Sequence, residues 1–169
     1  MRKRSGVLKS FYCAGRGFAF CLRHERHIRV HLVMTAYVMY FATFYDFSKN
    51  DYAVLILTCA AVIAMEIINT AVEVVIDKVS PRYNIFAMIG KDIAAGAVLF
   101  AAVGAIAVGI FMFWDPAAFV RIFEYFTSDF IKPLILLATV VVAILFILHA
   151  KPRKTGNKRT SKGNEIKDD

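Results

Sequence analysis

Glu66, Asn69, Glu73 and Asp77 stand inside "MEIINTAVEVVID", residues 65–77, a run that is otherwise apolar apart from Thr70. On an α-helix, offsets of 0, 3, 7 and 11 residues project within about 80° of one another, so the four side chains share one line. A carboxylate at membrane depth costs roughly 2.5–3.5 kcal/mol on insertion scales, and such residues usually mark function. A line of this kind can conduct ions, join helices or hold a divalent cation. Oxygen-only donors suit Mg²⁺, which takes one or two protein carboxylates and completes its shell with water and phosphate. A second polar island, "GKDIAAGAV", supplies Lys91 and Asp92 beyond the segment 78–90. Lys91 can neutralise phosphate, and Asp92 can orient Lys91 or meet a nucleotide amide or hydroxyl. Acids, lysine and metal are the components of phosphoryl transfer, where catalysis is mostly positioning and charge stabilisation. The sequence carries no P-loop and no kinase-type Gly-rich loop.

The elements that must position these residues are membrane helices. Of 169 residues 59% are hydrophobic and only 20% charged, well to the apolar side of a soluble domain. The fold class expected is all-α integral membrane: an N-terminal amphipathic surface helix over 7–29 and transmembrane helices over 30–47, 52–77 and 92–114. An outer loop and an additional transmembrane helix follow within 115–150, with a short interfacial helix in the loop, and 151–169 reads as a disordered basic tail. In residues 7–22, Val7, Leu8, Phe11, Ala14, Phe18 and Leu22 share one face and Lys9 and Arg16 the other, as in a helix lying in the interface plane.

The net charge of +8 is topological. Eight Lys and Arg fall in residues 1–30, three in 77–92 and seven in 150–169, whereas the other two loops hold only Lys49, Arg121 and Lys132. That alternation fits four crossings with both termini cytoplasmic, and it argues against nucleic acid as a partner. No cleaved signal sequence is expected at "MRKRSGVLKS". Cys13, Cys21 and Cys59 form no CxxC and read as free thiols.

Blander readings compete at each position. Glu66 and Asn69 can be helix glue, Lys91 and Asp92 a capping pair at a helix start, and His24, His27 and His31 snorkelling residues at a membrane entry rather than a zinc site. An ion path needs polar positions along its whole length, yet residues 52–65 offer only Thr58 and Cys59 besides Tyr52.

"MEIINTAVEVVID" followed by "KDIAAGAVL" resembles the signature of the prokaryotic diacylglycerol kinase and undecaprenol kinase family, small membrane lipid kinases, over about residues 7–114. "HERHIRVH" resembles the undecaprenol kinase branch of Gram-positive bacteria. The resemblance implies ATP-dependent, Mg²⁺-dependent phosphorylation of a lipid alcohol at the cytoplasmic face of a bacterial plasma membrane, by a homotrimer with sites shared between subunits. Undecaprenol is the first expected substrate and diacylglycerol the second. It also implies roles: Glu66 as general base, Glu25 and Glu73 as metal and nucleotide ligands, Asn69 and Asp77 as site-shaping residues. Arg82, Tyr83, Asn84, Lys91 and Asp92 are implied nucleotide contacts. Where relatives commonly have His-Pro-Leu-Ala-Lys ahead of the Lys-Asp pair, this chain has "NIFAM", and His27 stands where relatives often have Asn. A scaffold that kept the fold and lost catalysis is the alternative the altered loop allows.

Overall fold

The computed structural model describes residues 6–80, 82 and 84–150. Tyr83 and the expected tail 151–169 lie outside the described residues. Among those described, all regular structure is helical: α1 (Gly6–His24), α2 (Arg26–Ala42), α3 (Lys49–Val79), α4 (Ile85–Phe113), α5 (Pro116–Thr127) and α6 (Ile131–Leu148). Three of them, α3, α4 and α6, are long and apolar enough to cross a membrane. The 17 residues of α2 reach only about 25 Å, short of the roughly 30 Å hydrocarbon core.

Capping chemistry explains where these helices differ from the sequence expectation. The break between α1 and α2 falls at Glu25, not near 29, because Glu25 takes an extended backbone (φ −107°, ψ 126°) and its N–H closes on the Cys21 carbonyl at 2.9 Å. Ser48 and Asp51 form a reciprocal capping box that starts α3 at Lys49, three residues ahead of 52. Asn84 Oδ1 accepts from the N–H groups of Phe86 and Ala87 at 2.8 and 3.3 Å, so α4 begins at Ile85 rather than 92. Lys91 and Asp92 therefore lie two turns inside α4, and the capping-pair reading of them is wrong. The interfacial helix expected in the outer loop is α5, begun by Asp115 at the N-cap and Pro116 at the first turn.

Helices α3 and α4 form the main packed pair. At one end Gly90 faces Ile76; at the other, Phe47 bridges Tyr52 of α3 and Phe113 of α4, so the two run antiparallel. A Cβ added at Gly90 would sit 3.2 Å from Ile76 Cδ1. The alanine variant is expected to be tolerated, because the end of a flexible side chain can shift and helix propensity improves by up to about 1 kcal/mol. Gly90→Leu, in contrast, should wedge the helices apart and lower the thermal unfolding midpoint in detergent. The outward faces of α3, α4 and α6 carry exposed Leu57, Leu99, Phe100, Phe111 and Leu145, which suits a lipid rather than an aqueous surround. Helix α6 lies along α2, where the Tyr37 hydroxyl donates to Thr139 Oγ1 at 3.2 Å.

Candidate functional site

The acidic line runs along the C-terminal half of α3, from Glu66 at mid-helix to Asp77 near its end. Because α3 packs on three different helices, its polar residues find three different partners. Glu66 is buried, 6% exposed, and its Oε1 lies 3.3 Å from His31 Nε2 on α2. Thr70, one turn on and also buried, meets the Cys21 thiol of α1. Asp77, two further turns along, forms an ion pair with Lys91 of α4, both groups half-buried. Between them Asn69 Nδ2 donates to Glu73 Oε1 at 3.5 Å. The Asn69 Oδ1 is buried with no hydrogen-bond partner. A buried amide oxygen left without a donor costs about 1–3 kcal/mol, and this one belongs to the side chain that bonds Glu73.

Glu25 sits at the elbow itself, partly buried, one residue before α2 begins. It is one helical turn past Cys21, and Glu73 is about one turn past Thr70. Thr70 hydrogen-bonds the Cys21 thiol, and the charge of Glu25 also acts on that thiol, so α1, the elbow and this stretch of α3 are neighbours. Two carboxylates offer the oxygen-only donors that Mg²⁺ favours, and among the described residues no three His, Cys, Asp or Glu side chains converge to close a metal site. The donor set fits an ion that takes the rest of its shell from phosphate and water.

Three expectations are corrected or left apart. Lys91 is oriented by Asp77 and not by Asp92, which is exposed one residue on. Asn84 is occupied as the cap of α4, and Arg82 is exposed, its carbonyl accepting from Ser80 Oγ at 3.3 Å. The three histidines do not converge: His24 stacks on Phe20 with ring centroids 4.6 Å apart, His27 is exposed, and His31 goes to Glu66. The sequence does not announce His31 as the partner of Glu66, nor Thr70 and Cys21 as a contact. Nothing in one chain's spacing pairs α2 with α3, and threonine and cysteine on an apolar helix carry no signal of their own.

Burial, and behind it the charge of Glu25, push the Cys21 thiol up in pKa; hydrogen bonds from its own backbone and Thr70 only partly offset this. A raised pKa keeps the thiol protonated at pH values where an ordinary cysteine has ionised, and only the thiolate reacts. Cys21 is therefore expected to label more slowly than exposed Cys13, with its rate rising at higher pH. Maleimide kinetics on single-cysteine variants between about pH 7 and pH 10 check this.

A cavity of about 280 Å³ lies between α2, α3 and α4, lined by Met34, Thr35, Val62, Ala102, Ile106 and His31, the partner of Glu66. A buried carboxylate paired with a histidine that lines an apolar cavity, a lysine–aspartate pair and two further carboxylates, on helices apolar enough to cross a membrane, describe a helical membrane protein with polar groups among its helices.

The pattern of the prokaryotic diacylglycerol kinase family matches residues 12–113, and the chain belongs to that family. It is 38% identical over 104 residues to a diacylglycerol kinase of Synechocystis sp., covering 61% of this chain and 59% of that one. It is 30% identical over 105 residues to the undecaprenol kinase of Bacillus subtilis, covering 62% of this chain and 85% of that one. No solved structure matches the chain. The family match ends at the last residue of α4, so α5 and α6 lie beyond it.

Proposed function

We propose that this protein is an ATP-dependent lipid kinase that phosphorylates a membrane alcohol, with undecaprenol as the first substrate and diacylglycerol as the second reading. The observation that carries it is the buried Glu66 paired with His31, which itself lines the apolar trough, so that a lipid hydroxyl can meet a base while its chain stays among hydrocarbon. In the mechanism, Glu66 takes the hydroxyl proton as the lipid oxygen bonds to the γ-phosphorus; the bond to the β–γ bridging oxygen breaks and ADP leaves. His31 holds the Glu66 carboxylate towards the trough. Lys91, fixed by Asp77, offsets charge on the phosphate oxygens, while Asn69 shapes the site beside Glu73. Mg²⁺ would be held by Glu25 and Glu73 and would neutralise the β- and γ-phosphate oxygens. Arg82, Tyr83, Asn84 and Asp92 border the nucleotide.

The assembly proposed is a homotrimer in a bacterial plasma membrane, with α1 on the surface and α2 as a fourth, short crossing beside α3, α4 and α6. Both termini and the site face the cytoplasm, as the distribution of Lys and Arg supports. Residues 1–114 form the kinase core, 115–150 the outer connection and extra crossing, and 151–169 a basic tail. The two substrate readings separate in mixed micelles containing undecaprenol and diacylglycerol together. A kcat/KM ratio favouring undecaprenol supports the first reading, and a ratio favouring diacylglycerol replaces it with the second.

A further inference from the structure

Arg29 is a buried cation for which the proposed reaction has no use, at 7% exposure in the first turn of α2. An ionised side chain so placed must be satisfied by acceptors. Its Nε donates to the Leu22 carbonyl at 2.6 Å, and its Nη1 donates to the Phe146 carbonyl at 2.5 Å. The guanidinium also lies over the Phe146 ring, 4.8 Å from its centroid. Both acceptors belong to the last turn of a helix. The final four carbonyls of any α-helix lack intrahelical donors, and that end carries partial negative charge. Leu22 lies among the last four residues of α1, and Phe146 among the last four of α6. One planar fork thus caps two helix C-termini and matches both dipoles, a task the point charge of lysine serves less well.

We propose that Arg29 staples the C-terminal end of α6 to the C-terminal end of α1, so that the helix beyond the family match supports the elbow carrying Glu25. Glu25 lies between the stapled carbonyl of Leu22 and Arg29 itself, and Cys21 is buried one turn before it. Glu25 takes an extended backbone at the break between α1 and α2, and α6 supplies restraint from outside that break. Arg29 is a positioning residue in this account, and its link to metal and nucleotide rests on the kinase reading above.

The test uses the full chain with Cys13 and Cys59 replaced by Ser, which leaves Cys21 as its one thiol. Maleimide labelling of Cys21 is compared in this parent and in Arg29→Gln, Arg29→Lys, Phe146→Ala and Tyr37→Phe. Arg29→Gln should speed labelling about tenfold, the equivalent of one lost charge-assisted hydrogen bond. Phe146→Ala should act in the same direction from α6, and Arg29→Lys should recover part of the loss. Tyr37→Phe, which removes an α2–α6 bond away from the elbow, should change nothing. In parallel, Arg29→Gln should raise KM for Mg·ATP more than it lowers kcat. Unchanged labelling in Arg29→Gln and Phe146→Ala overturns the staple, as does an equal effect from Tyr37→Phe. A parent without any turnover removes the kinase reading instead, and the labelling rates then still decide the staple.

Discussion

Glu66→Gln is expected to slow phosphate transfer by about 10²–10⁴-fold, the contribution of a positioned general base, with nucleotide affinity close to that of the parent. The substitution keeps volume and hydrogen-bonding shape, so the His31 contact at 3.3 Å can persist through the amide oxygen. What it removes is the acceptor for the hydroxyl proton. Since Glu66 sits on the α2 side of α3 while Asp77 and Lys91 meet on the α4 side, the loss should fall on kcat and leave KM for Mg·ATP nearly intact. Equilibrium nucleotide binding alongside steady-state kinetics checks both halves. His31→Asn, which leaves the base present and less well held, should give a smaller loss of the same kind.

The second large effect is expected at Lys91. Lys91→Met should lower kcat/KM by about 10²–10³-fold, the scale for removing one donor aimed at developing charge. The loss should be shared between KM for Mg·ATP and kcat, because a phosphate-facing cation acts in the ground state as well as the transition state. Asp77→Asn isolates the orienting part: the cation remains and its ion pair does not. It is expected to cost less than Lys91→Met, and the double variant should cost no more than Lys91→Met alone, as for two members of one unit. Initial rates against Mg·ATP for the three variants check the ordering.

Much of this site is legible in the amino-acid sequence, because an acid in an apolar helix is conspicuous. The line at Glu66, Asn69, Glu73 and Asp77, and the Lys91–Asp92 island, stand out by type and spacing alone. The partners of that line are not legible. A single shared face suggests a single site-facing surface, yet α3 is packed by α1, α2 and α4 at once, so Thr70, Glu66 and Asp77 each answer a different neighbour. Asp92 adjoins Lys91 in sequence, but consecutive helical residues point about 100° apart, and Asp77 across the hairpin takes the lysine instead. The helix starts at Lys49 and Ile85 are set by the Ser48–Asp51 box and by Asn84, local capping signals that hydropathy windows overrun. By type and position Arg29 resembles one more snorkelling cation at a membrane entry. Its acceptors are carbonyls of α1 and α6, and backbone acceptors leave no mark in sequence.

The central claim is that the α3 acids hold a metal nucleotide against a lipid hydroxyl at Glu66. Transfer of label from γ-labelled ATP to lipid by the purified, detergent-solubilised protein tests it most directly, with Mg²⁺ present and with undecaprenol and diacylglycerol offered separately. The expected result is label in a lipid phosphate, undecaprenyl phosphate above all, that disappears on chelating Mg²⁺ and in Glu66→Gln. Folded protein that binds nucleotide and labels neither lipid would contradict the account and leave a scaffold that kept the family's helices without its chemistry.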